Sequence, residues 1–389
     1  FLLAVGALII VLCLPSPATM HTDSGQPIDL SWQGKATIGV LALAVILWVT
    51  EAVPFAVTGL IAMVALVMTG AADLKTLTID GFGNRIVLFF IGVLTLSAAI
   101  TEVGILPRLT NYLLYRLGHR PRTIILIFLF IGAMLSAWIT DMAVAAVLLP
   151  IGVAILKDAN LKPLQSNFGR ALMISCCWGP LIGGVATPAG CGPNPLTMQF
   201  LRELAGVQFT FTDWMLIGYP ATFLMLLPAW GILLLIFPIE KVNLSLAHDD
   251  FRKKLHEMGP LNRKEILTIL IFALTVFLWV AAPAIKRWTG GAVDYLSIHF
   301  VALGCACLFF LPGINVLNWQ QAQEKISWGG IVLIAAGLSL GMATYKTGAA
   351  EWIAWVAFHK VGLLSPVLIV FVIVLGVSLM KVMFSSNTV

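Results

Sequence analysis

The chain alternates between apolar runs and short breaks rich in polar residues, proline or glycine. The runs lie at roughly residues 1–15, 36–49, 55–69, 86–106, 123–156, 171–189, 214–238, 265–284, 295–312, 328–345 and 362 to the end. One helical crossing of a bilayer takes about 20 apolar residues, so the pattern predicts about ten crossings or part-crossings joined by short loops. The expected fold is an all-α polytopic membrane protein. Residues 1–14 read as a truncated first membrane helix rather than a secretory leader, because no basic stretch precedes them and further apolar spans follow. With Phe1 first and Val389 closing an apolar segment, the sequence reads as a piece of a longer chain.

Composition strengthens this picture and charge orients it. AVILMFWYC make up 60% of the 389 residues and DEKR only 11%, with a mean hydropathy of +0.99. Globular domains carry about 25% charged residues, so soluble enzymes, nucleic-acid modules and disordered scaffolds are excluded. Arg108, Arg116, Arg120 and Arg122 cluster in one stretch, and Lys241, Arg252, Lys253, Lys254, Arg263 and Lys264 in another. The positive-inside rule places both on the cytoplasmic side. Asp23 and Asp29 against the single Lys35 place residues 16–35 outside. The six cysteines show no CxxC pair beside histidines, which indicates neither a disulfide frame nor a zinc site.

The 123–156 run is long for one crossing and is flanked by Arg120 and Arg122 before it and by Lys157 and Lys162 after it. A segment that starts and ends on one side is either two crossings or a re-entrant hairpin. Its middle, Ser136-Ala137-Trp138-Ile139-Thr140-Asp141, is polar and reads as the hairpin tip. Irregular backbone at membrane depth survives only where protein or an aqueous cavity shields it, so such a tip lines a site.

The chain also echoes itself. Ile86-Val87-Leu88 with Gly92 and Gly104 has a counterpart about 245 positions on, in Ile331-Val332-Leu333 with Gly337 and Gly348. At nearly the same offset, Trp138 to Met142 aligns with Phe384 to Thr388. Internal duplication with polar breaks in matching places is a sign of secondary transporters, whose sites lie between repeats near the midplane. A third break, Gly183 to Pro195, contains four glycines and three prolines. It is either an extracellular loop or a helix interrupted at depth. In the second case its carbonyls can hold a dehydrated cation, while the amides of the restarting half-helix favour an anion.

On these residues the chain resembles the divalent-anion/sodium symporter (DASS) family, which includes sodium-coupled dicarboxylate, citrate and sulfate transporters. The resemblance runs from about Trp32 to the end. Ser386-Asn387-Thr388 matches the family's Ser-Asn-Thr hairpin tip. Trp48-Val49-Thr50-Glu51-Ala52-Val53-Pro54 is similar to its W-x-T-E-A-x-P turn, and Thr187 to Asn194 to its T-x-x-G-[ST]-P-P-N break.

The resemblance implies two inverted repeats, each with a re-entrant hairpin and an interrupted helix. Scaffold helices would occupy 1–122, a first hairpin and broken helix 123–212, linking and scaffold helices 213–361, and the start of a second hairpin 362–389. It implies Ser136, Thr140, Asp141 and Gly190 as ligands of a first sodium ion, with Asn387 at a second. Substrate would meet Asp141, Met142 and Cys191 on one side and Ser386, Asn387 and Thr388 on the other. A homodimer working by an elevator-type shift is implied as well. The chemistry is coherent, because hydroxyl, amide and carbonyl oxygens suit a small hard cation, and that cation offsets the charge of a dianion whose desolvation alone would cost several kcal/mol. The chain departs from the family at the first tip, where Thr140-Asp141-Met142 replaces Ser-Asn-Thr, and at Cys191, Gly192 and Val382.

The expected function is therefore sodium-coupled symport of a small divalent anion, a C4-dicarboxylate such as succinate or malate, by a multi-pass protein of the plasma (inner) membrane. The competing expectation is a proton-coupled carrier or anion exchanger for dicarboxylate or sulfate, with Asp141 accepting the proton. An intramembrane enzyme or a non-transporting receptor is the contrasting class, but no HExxH, GxSxG or paired catalytic carboxylates occur at depth. Among other ionisable residues, Glu51 reads as a helix stop before Pro54, Glu102 and Lys346 as snorkelling or salt-bridged, and Arg108 to Arg122 as a helix lying along the cytoplasmic face.

Overall fold

The computed structural model describes residues 1–389 apart from 16, 18, 22–26, 119, 162–164, 241, 243–244, 291–295, 359–364 and 382–389. The described residues form α1 (Leu2–Cys13), α2 (Trp32–Thr50), α3 (Phe55–Met68), α4 (Leu74–Asp80), α5 (Arg85–Val103) and α6 (Ile105–Leu117). Next come α7 (Pro121–Ser136), α8 (Asp141–Asp158), α9 (Asn167–Gly183), α10 (Pro193–Ala205), α11 (Phe211–Ile236) and α12 (Ser245–Glu257). The chain continues through α13 (Arg263–Trp288), α14 (Ile298–Leu308), α15 (Trp319–Lys325), α16 (Trp328–Lys346), α17 (Ala349–Phe358) and α18 (Pro366–Lys381). Met20–His21 and Pro27–Ile28 form a two-residue antiparallel pair in the loop after α1. Among the described residues, α2, α5, α11, α13 and α16 are long and apolar enough to cross a membrane. Packing gathers the chain into two units, Phe1–Val87 with Ser327–Val389, and Leu88–Ile326.

In the first unit, α2 starts where the Ser31 hydroxyl accepts the Gly34 amide at 3.0 Å. It stops at Glu51, which adopts the left-handed conformation at φ 49°, and the Trp48 indole donates to the Phe55 carbonyl at 3.2 Å across the turn. The Trp-x-Thr-Glu-Ala-x-Pro stretch is thus a helix stop locked by its own tryptophan. Buried Lys35 donates to the carbonyls of Leu12 (3.0 Å) and Leu14, supplying the end of α1 with a cationic cap. Helix α16 packs on α2, α3 and α4, and Gly59 permits the approach: a Cβ there would stand 2.6 Å from that of Ala336. Asp73 caps α4, and donation from the Thr76 hydroxyl and amide holds its carboxyl below the usual carboxylate range.

In the second unit, Phe89, Val93 and Leu96 of α5 pack with Trp279 of α13 and Val301 and Cys305 of α14. The amphipathic α6 leaves α5 at Gly104, whose φ of 79° suits glycine. The Arg108 guanidinium on α6 then reaches the nearly buried Glu265 at 3.2 Å and the carbonyls of Gly259 (2.6 Å) and Met258 (3.0 Å). Glu265 also completes a capping box with Asn262 at the start of α13. The two basic stretches of the sequence therefore meet at one corner, as expected of two segments on the same side of the membrane.

A seven-residue helix, a 19-residue helix, a linking helix and a 16-residue helix occur in that order twice, as α4–α7 and as α15–α18. Each short helix ends on a charge that pairs with one at the end of a 19-residue helix. Asp80 of α4 meets Lys346 of α16 at 2.7 Å in the first unit. Lys325 of α15 meets Glu102 of α5 at 2.9 Å in the second. Glu102 and Lys346, which the sequence left between snorkelling and pairing, are both paired.

Candidate functional site

The polar centre of the 123–156 run ends one helix and starts another: α7 stops at Ser136 and α8 begins at Asp141. At 16 residues α7 is about 24 Å long, short of the roughly 30 Å hydrocarbon layer. Between the two helices, the Trp138 and Ile139 amides both donate to the Leu135 carbonyl at 3.0 Å, closing a tight tip. Trp138 anchors the tip by stacking on Phe211 and meeting Phe272 edge-on at 5.8 Å, while Phe211 stacks on Trp279 at 4.7 Å.

Helices α7 and α9 run side by side in the same direction, brought together by small residues. Gly179 faces Leu129, Gly132 faces Pro180, Gly183 faces Ala133, and beyond the end of α9 Gly190 faces Ser136. Any side chain at Gly183 would collide with the Ala133 backbone. This register brings the break between α9 and α10 to the level of the hairpin tip.

The break is buried backbone. Gly184 and Ala186 to Gly190 are buried, with Val185 between them exposed, which favours the interrupted helix over an extracellular loop, whose backbone would be solvated. Its polar groups are paired internally. The Thr187 hydroxyl donates to the Ala137 carbonyl at the tip and accepts the Ala189 amide at 3.1 Å. Buried Asn194, at the start of α10, donates its amide to the carbonyls of Gly184 (2.8 Å) and Thr187 (2.6 Å) and accepts the Cys191 thiol at 3.1 Å. Gly190 lies where a Cβ would stand 2.7 Å from the Ser136 carbonyl and closer still to that of Gly184.

One atom in this cluster stands apart. Ser136 is wholly buried and its Oγ has no hydrogen-bond partner among the described residues. The orphan hydroxyl thus belongs to the same buried cluster in which the Ser136 and Gly184 carbonyls close on Gly190. Two helices, α7 and α9, end at it and two, α8 and α10, begin at it. The carbonyl ends favour a cation and the amide ends an anion. The donors are uncharged oxygens, the set suited to a small monovalent ion rather than to zinc or a redox metal.

The sequence-predicted residues divide as follows. Ser136 and Gly190 are in the cluster. Thr140 precedes α8 without capping it through its side chain. Asp141 opens α8, its Oδ1 accepting the Met142 amide at 2.9 Å. Met142 is 78% exposed. Cys191 contacts Gly184 and Asn194 within the break. Ser386, Asn387 and Thr388 lie outside the described residues. Sequence reasoning did not assign roles to Thr187 and Asn194, which fasten the break to the tip and to itself. Both stand in the T-x-x-G-[ST]-P-P-N-like stretch, and that motif was the signal for them.

A family model described as the sodium:sulfate symporter transmembrane region matches residues 1–389. The chain is similar to the sodium-dependent dicarboxylate transporter SdcS of Staphylococcus saprophyticus, with 28% identity over 380 residues, covering 93% of this chain and 72% of the relative. It is also similar to the SdcS of Staphylococcus aureus strain USA300, with 27% identity over 362 residues, covering 89% of this chain and 68% of the relative.

Proposed function

The chain belongs to the sodium:sulfate symporter transmembrane family, membrane transporters rather than enzymes, and on that premise we propose that it imports a C4-dicarboxylate by sodium symport across the plasma membrane. The observation that carries this reading is the buried Ser136 Oγ, orphaned where the hairpin tip meets the interrupted helix. Sodium is cargo in this scheme. Ser136 and Gly190, with Thr140 and Asp141 from the tip, hold the first sodium ion. Cys191, Asp141 and Met142 face the substrate on this side, and Ser386, Asn387 and Thr388 on the other, with Asn387 also at a second sodium ion. The names of the relatives favour dicarboxylate among the family's anions.

The order of events follows from electrostatics. The ends of α7 and α9 present carbonyls that attract sodium first, and the bound cation with the starts of α8 and α10 then offsets the dianion's charge. In this reading the chain holds two inverted repeats, residues 123–212 move as the transport region in an elevator-type shift, and the protein works as a homodimer; the doubled helix order supports the repetition. Because no contact on this side needs a fixed arginine, anion affinity depends on the cation, and sodium coupling results.

Uptake of radiolabelled succinate into proteoliposomes tests the proposal. Uptake that requires an inward sodium gradient is expected, and uptake at fixed pH without sodium rejects the coupling. An aspartate in place of the family's asparagine at the tip supports a second reading, in which Asp141 takes up a proton. Uptake driven by a pH step in the absence of sodium selects that alternative.

A further inference from the structure

Beside the hairpin tip, and separate from the oxygen-rich cluster, lies a half-open cavity of about 130 Å³ lined by Leu106, Leu135, Trp138, Thr268, Ile269 and Phe272 among others. Its surface is apolar. The one hydroxyl in it, that of Thr268, is spent on the Lys264 carbonyl at 2.8 Å, so the cavity has nothing to hold water. Apolar cavities of about 150 Å³ stay dry and take up small hydrocarbons. The rim residue Ile269 belongs to the exposed apolar face of α13, with Ile266, Leu270 and Leu274, and α13 is long and apolar enough to span the bilayer. The mouth therefore opens toward lipid. Lys264 lies one helical turn before Thr268 on the same face and is exposed, in a corner that already gathers Arg108 and Arg263.

We propose that this cavity is a lipid site: the acyl chain of an anionic phospholipid enters between α6 and α13 and ends against Trp138, while its phosphate sits at Lys264. Hydrocarbon gains by leaving no apolar void against the tip, and a basic residue near the membrane surface selects an anionic headgroup. The occupant braces the hairpin tip against α6 and α13, so the site links membrane composition to the part of the chain that carries the transport machinery.

Tryptophan quenching in vesicles of phosphatidylcholine with dibrominated acyl chains tests the site on the full chain. The signal of Trp138 is the difference between wild type and Trp138→Phe, and bromine is expected to quench it. Leu106→Phe and, separately, Leu135→Phe fill the cavity from different helices, and each is expected to abolish that quenching while thermal melting shows a folded protein. A Trp138 signal that bromine leaves untouched overturns the proposal, including the case in which a second copy of the chain covers the face. Quenching that persists in both filled variants overturns it too. Adding phosphatidylglycerol with brominated chains should raise occupancy in wild type, and Lys264→Gln should weaken that preference by about fivefold. An unchanged preference removes the phosphate from Lys264.

Discussion

At the scale of single residues, stability and ion binding can be separated at Ser136. A buried hydroxyl without a partner costs about 1–3 kcal/mol, and Ser136 Oγ has none among the described residues. Ser136→Ala is therefore expected to melt at the same temperature or higher without sodium, and to lose most of the increase that sodium gives the wild type. A variant that melts lower without sodium but gains the full increase removes Ser136 from the ion site. Asn194 behaves in the opposite sense. Asn194→Ala takes the side-chain donor from the Gly184 carbonyl and leaves the Thr187 carbonyl with the Gly190 amide alone, in a buried break, at a cost on the order of 2 kcal/mol, so melting should fall equally with and without sodium. Asp141→Asn restores the family's tip chemistry and should change cation preference; transport indifferent to it takes Asp141 out of the site. Ser136, Asp141 and Gly190 drew attention in the sequence because a polar residue or a glycine inside an apolar run is conspicuous, and the resemblance to the family is what implied a sodium ion at them. Thr187 and Asn194 were visible only as letters of a motif, because spacing does not reveal that a break folds back to bond its own carbonyls.

At the scale of elements, the tip meets the break because α7 and α9 can lie almost backbone to backbone. Gly183→Ala puts a methyl group into the Ala133 backbone, so it should push the two helices apart and abolish sodium-dependent uptake even where the protein still inserts. Arg108 holds a second junction. Removing it strands Glu265, whose side chain is only 4% exposed, and breaking such a pair costs on the order of 3 kcal/mol. In the double variant Arg108→Met with Glu265→Gln, the glutamine still completes the capping box, so most of the melting temperature lost in Arg108→Met should return. Apolar runs located the spanning helices well, and the basic residues located α6. The short helices α4 and α15 went unseen. Both are seven residues long and largely polar, so no hydropathy run marks them, and their stability comes from caps and from packing on distant segments.

At the scale of the whole molecule, the first packed unit joins residues from both ends of the chain, while the second is one continuous stretch. No hydropathy period encodes the pairing of α16 with α2 and α3, or of α5 with α13 and α14, because such pairings depend on shape at positions like Gly59 and Gly92. The matched glycines predict a duplication, and the order of helix lengths in α4–α7 recurs in α15–α18. A site made of helix ends makes a distinctive thermodynamic prediction. If the cation supplies the positive charge that the anion needs, a dianion should bind the folded protein appreciably only when sodium is present. A ligand at a hundred times its Kd stabilises the native state by about 2.7 kcal/mol, which a melting experiment in detergent resolves. Succinate, malate and sulfate, each tested in sodium and in an equal concentration of choline chloride, should raise the melting temperature only in sodium, with the dicarboxylates ahead of sulfate. Equal stabilisation in choline would mean that the protein holds the anion without a metal cation, and the oxygen cluster at Ser136 would then have to serve another purpose.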